Sequence, residues 1–267
     1  MKKSIFVVIL LAFHFTTVLS QAADNNDKSF RKQSVCFEAG FIYPQGTIKE
    51  SLSIRQNLSY YYVNQQSDGF ISSSISGMLL GARYEYYLPK IWSGISTGVR
   101  FIGINTEING YASGNSDFFY LRYSMQETDT KFARVKSLTE NNYLLSVPLE
   151  IRVFPLRYRK ISFFAMAGME YSVICFKKAA DISFREEGMN VNKDVILGRI
   201  SSPVNRNFST FYSSVGMKLG KEENKINFII EVMLPSLLLS KNNFYFIDVD
   251  YIEGFRLSVQ LPLNNNK

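Results

Sequence analysis

Residues 143–154 read Tyr143-Leu144-Leu145-Ser146-Val147-Pro148-Leu149-Glu150-Ile151-Arg152-Val153-Phe154. Tyr143, Leu145, Val147, Leu149, Ile151 and Val153 share one face, and all are apolar. Asn142, Leu144, Ser146, Pro148, Glu150 and Arg152 share the other, which mixes polar and charged groups. Alternation with a period of two marks a strand whose sides meet different surroundings. A strand of this length exceeds the ~5–6 residues usual in soluble sheets and reaches the ~9–11 that a tilted strand needs to cross hydrocarbon.

The same pattern, followed outward, gives eight strands at 34–43, 73–88, 91–106, 142–154, 160–176, 208–220, 225–238 and 252–263. No helical hydrophobic period persists beyond the first residues. The connections alternate in length. Pro89-Lys90, Pro155 to Lys160 and Lys221 to Asn224 are short, whereas 44–72, 109–141 and 177–207 are long and 239–251 is intermediate. Short turns on one rim and long loops on the other are the pattern of outer-membrane barrels. The expected fold is therefore all-β, an eight-stranded antiparallel up-and-down transmembrane β-barrel with long extracellular loops and short periplasmic turns. Proline removes a ladder donor. Pro235 and Pro262 fall near strand ends, and Pro148, in mid-strand, is expected to mark a bulge.

A membrane barrel needs an apolar outside, while its inside can be polar. The outward sets include Val35, Phe37, Ala39 and Phe41 on the first strand and Ile226, Phe228, Ile230, Val232 and Leu234 on the seventh; none of these positions is charged. The inward sets hold Glu38, Glu85, Glu150, Glu170 and Glu231 against Arg83, Arg100, Arg152, Lys218 and Arg256. The two signs are equal in number, as burial of ions requires. Gly40, Gly77, Gly81, Gly98, Gly168 and Gly216 fall on the same face. Side chains fill an eight-stranded interior, so the expectation is an interleaved salt-bridge network plugging the lumen, with glycines making room for it. A soluble sheet with a solvated charged face is the alternative, and it does not explain why nearly every strand charge shares one face. Aromatic residues make up 15% of the chain. Tyr84, Tyr86, Tyr87, Trp92, Phe154 and Tyr158 near the short turns, and Tyr43, Tyr143, Tyr171 and Phe208 near the other rim, suggest two interfacial girdles.

The chain opens with a basic Lys2-Lys3, an apolar run from Ile5 to Phe15 and small residues near Ser20 and Ala22, the layout of a secretory signal peptide. The expected organisation is a signal peptide at 1–22, a short periplasmic segment at 23–33, the barrel at 34–263 and a tail at 264–267. Loss of the signal lowers the formal charge from +7 to about +5. That charge is scattered, with no basic-aromatic cluster of the kind that grips nucleic acid.

Little chemistry is on offer. The sole histidine is His14, within the expected signal peptide. Ser/His and Cys/His nucleophiles and histidine-bearing zinc sites are thereby excluded from the mature chain, and the same lack argues against the known small outer-membrane hydrolase and acyltransferase barrels, which use a histidine. Cys36 and Cys175, the only cysteines, fall on opposite faces of distant strands, as two free thiols. No glycine loop has a phosphate-binding context. Neither catalytic residues nor cofactors nor metals are expected, and the loop charges Asp181, Arg185, Glu186 and Glu187 read as solvated surface. Recognition, if present, belongs to the long loops rich in Tyr, Asn and Ser, such as 57–62 and 111–123.

Val35-Cys36-Phe37-Glu38-Ala39-Gly40, the Tyr143 to Ile151 run, Phe163-Phe164-Ala165-Met166-Ala167-Gly168 and Phe208 to Gly220 together resemble the outer-membrane β-barrel family of Bacteroidota that includes PorT-like and porin-family small barrels. The likeness spans nearly the whole mature chain and implies a fold and an outer-membrane location, with no catalytic residues to transfer. Many such barrels end in an aromatic residue read by the assembly machinery; here Leu263 is followed by Asn264, Asn265, Asn266 and Lys267. The functional expectation is a non-enzymatic barrel in contact with outer-membrane lipid. It would act as an anchor or interaction platform through its loops, or as an accessory to a secretion or uptake complex with other envelope proteins. A narrow pore for small solutes and a soluble periplasmic barrel binding an apolar ligand are the alternatives.

Overall fold

The computed structural model describes residues 33–49, 52, 54–55, 71–88, 91–110, 118–126, 129–158, 160–201, 204–220 and 226–263. The expected signal peptide, nearly all of the 23–33 segment and the 264–267 tail lie outside them. Strands run β1 (Gln33–Ile48), β2 (Ile54–Arg55), β3 (Ile71–Leu88), β4 (Ser93–Gly110), β5 (Phe119–Gln126), β6 (Asp129–Tyr158), β7 (Ile161–Phe184), β8 (Asn207–Leu219), β9 (Asn227–Met233), β10 (Leu237–Leu238) and β11 (Ile247–Pro262). A 3-10 turn at Glu187–Asn192 and the helix α1 (Lys193–Ile200) separate β7 from β8.

Eight of these strands close a ring in the order β1, β3, β4, β6, β7, β8, β9, β11 and back to β1, antiparallel throughout. A walk along paired residues from Ser93 of β4 passes Val153, Ala165, Val215, Val232, Phe255, Phe41 and Met78 and returns to β4 at Gly103, ten residues from its start. At ~3.3 Å per residue and ~4.8 Å between strands, that stagger tilts the strands by about 40°, as closed barrels require. The outer face carries a broad belt of apolar side chains. Phe37, Phe41, Met78, Leu80, Leu149, Ile151, Met169 and Phe228 are each at least half exposed, a surface that belongs in lipid.

The structure corrects several details. Pro148 makes no bulge: Thr97 faces Leu149 and Arg100 faces Ser146 in one register, with only the intervening pairs missing from the β4 side. The Thr97 hydroxyl donates to the Pro148 carbonyl at 2.8 Å. Bulges sit instead beside Pro155 and at Cys175, where the β6–β7 register shifts. Residues 155–158 of the connection expected at 155–160 are strand, and Tyr158 pairs with Ile161. The expected loop 109–141 contains β5 and the upper part of β6, and 177–207 contains the end of β7 and α1.

These upper segments build a head over the rim opposite the short turns. β5 pairs with β6, and β2 pairs with β5. Leu52, Phe119, Leu121, Val135, Leu138 and Phe246, each no more than 1% exposed, form its core with Ile196 and Ile200 of α1. The register shift between Val135 and Ser137 is what permits this. Below it, odd-numbered residues of β6 face outward; above it, Ala133 and Val135 face the head core. One inserted residue, Lys136, turns the strand over.

Candidate functional site

The lumen is stacked in layers. At the short-turn end Tyr87, Phe154, Phe164, Met166 and Ile229 pack together, with ring centroids 5.7 Å apart for Tyr87–Phe154 and 5.8 Å for Phe154–Phe164. Tyr87 and Phe154 were expected in the lower girdle and Phe208 in the upper; all three point inward, at 8%, 2% and 3% exposure. Trp92 and Tyr158 remain on the outer surface.

Above these rings lies the charged layer. Glu38, Arg83, Glu85, Arg100, Glu150, Arg152, Glu231 and Arg256 are all buried, Glu170 is nearly so, and Lys218 is half-buried toward the short-turn rim, with its Nζ 6.0 Å from the Phe154 ring. Glu150 is the hub. Arg83 reaches it at 2.7 Å and Arg256 at 3.1 Å, Arg100 binds its Oε1, and the Tyr212 hydroxyl donates to it at 2.6 Å and that of Ser96 at 3.0 Å. Arg83 and Arg256 each lie 3.3 Å from Glu38, which also pairs with Arg100. Arg100 closes on Glu170 at 2.6 Å. A second branch joins Arg152 to Glu85 at 2.6 Å and to Glu231 at 3.6 Å, with Arg256 and Ser214 also on Glu231. The Arg152 guanidinium lies 4.4 Å over the Phe164 ring, so a π-face takes part of the contact that water would make.

Sequence position explains this convergence. Each charged group alternates inward from its own strand, and the ring is narrow enough for side chains from opposite walls to meet. Gly81 and Gly168 leave the space. A Cβ on Gly81 would stand 2.9 Å from both Arg100 Cγ and Glu38 Oε1, and one on Gly168 would stand 3.0 Å from the Tyr212 ring and 3.1 Å from Glu150 Cγ. Tyr212, Ser96 and Ser214 were absent from the sequence-derived set, although each alternates inward beside a charged residue. Glu140 was missed as well, because it lay in an expected loop. It is fully buried, accepting from Asn142 at 2.9 Å and from the Tyr245 amide at 2.7 Å.

A third, apolar layer of Ile42, Leu79, Ile102, Ile104, Leu144 and Phe244 lies between the ions and the head. A cavity of about 30 Å³ separates it from Arg100, Glu170 and Tyr212. Cys36 is buried in the lumen and Cys175 is exposed, both as free thiols. Among the described residues no group of His, Cys, Asp and Glu is placed to hold a metal. Asp181 pairs with Lys193 and Glu186 with Arg134 at the head surface.

No protein-family profile matches the sequence, and no curated protein does. Among solved structures, the chain is similar to the outer membrane protein OprG from Pseudomonas aeruginosa, at 10% identity and a TM-score of 0.43 over 89% of this chain and 100% of that one. It is also similar to the translocator domain of the autotransporter NalP from Neisseria meningitidis (8%, 0.30, 98% and 98%). The transport unit of the autotransporter AIDA-I from Escherichia coli is a third (7%, 0.27, 94% and 97%). These are general likenesses of shape. The molecule's own surface says more: an apolar exterior around a closed, hydrogen-bonded ring, with charge sealed inside, is that of an outer-membrane β-barrel.

Proposed function

We propose that this protein is a non-enzymatic anchor whose charged layer closes the lumen and whose head, held above the outer leaflet, is the platform for interaction with other envelope proteins. The observation that carries the reading is the pairing of two features in one strand. β6 spends its lower part walling a lumen crossed by buried ion pairs, and its upper part in a separate apolar core. A solute channel has no use for fully buried Arg–Glu pairs joined across its axis, since every ion pair would have to open against its neighbours. A head with its own core presents loops on a fixed support, which favours recognition. The first, fourth and fifth strand motifs support placement among PorT-like small barrels of Bacteroidota, and the leader pattern supports export through a cleaved signal at 1–22.

Planar-bilayer recording with pure protein tests the closed lumen. The expected trace is flat at voltages where open barrels conduct, and steady ohmic steps would overturn the reading in favour of a narrow pore. Fractionation tests the anchor: the protein stays with membranes through carbonate washing and leaves only with detergent, whereas release by carbonate would point to a soluble barrel.

A further inference from the structure

The ladder between β9 and β11 is interrupted partway up the wall of the ring. β9 ends at Met233, and Pro235, with no N–H to give, adds one residue to the strand: Met233 faces Ser214 while Leu237 faces Phe211. Past that point, among the described residues, β10 pairs with β8 alone, and β11 above Gly254 pairs with β1 alone. The links that remain are Ser236 N–H to the Ile252 carbonyl at 2.9 Å and Ile252 N–H to Ser236 Oγ at 3.0 Å. On the other side a register shift opposite Gln45 and Gly46 leaves Asp250 out of the β1 ladder. The chain then leaves the wall. Asn243 Nδ2 donates to the Asn207 carbonyl at 2.8 Å, and Phe244 turns into the lumen, edge-on to Phe208 at 6.2 Å. A seam is left between β10 and residues 247–251 of β11.

Both mouths of the seam are apolar. Outside, Leu234, Leu237 and Leu239 are 41%, 65% and 59% exposed and continue the lipid-facing belt. Inside is the cavity of about 30 Å³, lined at this wall by Met233, Ser236, Ile252 and Phe208. Its floor of Arg100, Glu170 and Tyr212 is already bonded within itself, Arg100 Nη1 donating to Glu170 at 2.6 Å and to Tyr212 at 2.7 Å. Thr210 and Ser236 aside, the rest of the lining is apolar, and apolar cavities favour an apolar guest over water.

We propose that the seam admits a hydrocarbon chain of the surrounding lipid, whose end lodges in the cavity behind Ser236 and Ile252. Continuity with the lipid-facing belt selects this occupant. Ile252 faces Pro44, next to Tyr43 at the upper edge of that belt, where outer-leaflet chains begin. A water-borne ligand would have to cross the head core from above or the charged layer from below. The site is separate from the platform role of the head, and either idea can fail alone.

Quenching by brominated lipid tests it. Trp92 is the only tryptophan, so Trp92→Phe gives a silent background for Phe208→Trp in the full chain, reconstituted in phosphatidylcholine vesicles with brominated acyl chains. Leu237→Trp serves as the lipid-facing control and Phe164→Trp, in the lower sealed layer, as the control for quenching through an intact wall. With the site filled in most molecules, quenching at Phe208→Trp is several-fold that at Phe164→Trp, and adding Met233→Phe, which fills the cavity, removes the excess. Equal quenching at Phe208→Trp and Phe164→Trp overturns the proposal, as does an excess that survives Met233→Phe. If Phe208→Trp does not fold, Phe244→Trp carries the same expectation.

Discussion

The charged layer of the lumen and the core of the head both exclude water, with opposite chemistry. In the lumen Glu150 and Arg256 are fully buried and hold each other in place; in the head Phe119, Val135 and Phe246 are fully buried and simply touch. The difference follows from what lies outside each. The ring is surrounded by lipid, so its apolar side chains face outward and its polar ones are left to fill the inside. The head is surrounded by water, and its strands turn their apolar sides inward as in any soluble sheet. β6 does both, and the register shift at Lys136 is the point of reversal. A charged cluster is unforgiving of single losses, whereas an apolar core loses stability in proportion to what is removed.

The largest effect should therefore come from Glu150→Ala, which takes the shared partner from Arg83, Arg100 and Arg256 at once. Removing one member of a buried ion group costs about 3–5 kcal/mol. Urea unfolding in lipid vesicles should show the barrel itself destabilised by that much; a shift below the error of the curve would mean that the cluster is ornamental. Next is Phe246→Ala, at about 3 kcal/mol, confined to the head. Limited proteolysis should cut within 118–140 while the strands below stay protected, and loss of the whole barrel would show that the two cores are one. Gly81→Val should cost about 1–3 kcal/mol by forcing a side chain against Arg100 and Glu38. The same substitution at Gly198, where an added Cβ meets nothing, should change the barrel's unfolding midpoint far less, and equal shifts would remove the packing argument. Smallest is Arg134→Ala, which breaks an exposed pair with Glu186 and should cost under about 1 kcal/mol, declining further in high salt.

The sequence disclosed the ring far better than the head, for a physical reason. Between Val35 and Phe41, or Ile226 and Val232, every second residue is apolar because lipid lies on that side at every step. Around Lys136 and Cys175 the alternation is interrupted by bulges, so β5 and the upper parts of β6 and β7 read as loop. The charged residues of the lumen were legible individually, since each had only one face available. Their branching through Tyr212, Ser96 and Ser214 was not, because a hydroxyl has no compulsory side. Tyr87, Phe154 and Phe208 were misplaced by composition, since an aromatic ring suits a membrane boundary and a dry interior equally well. Pro148 was judged by its residue type, yet the ladder absorbed it by giving up pairs with β4 instead of shifting register.

Closure of the ring joins its earliest strand to its latest. Gln260 donates to the Ser34 hydroxyl at 2.7 Å across a separation of 226 residues, and the whole of β1 depends on β11 for one of its two ladders. During synthesis β1 therefore waits, with one edge bare and its greasy side uncovered, until the ribosome has finished β11. Such a chain needs an escort that keeps it unfolded in transit, and its maturation should be a single late event and not a gradual one.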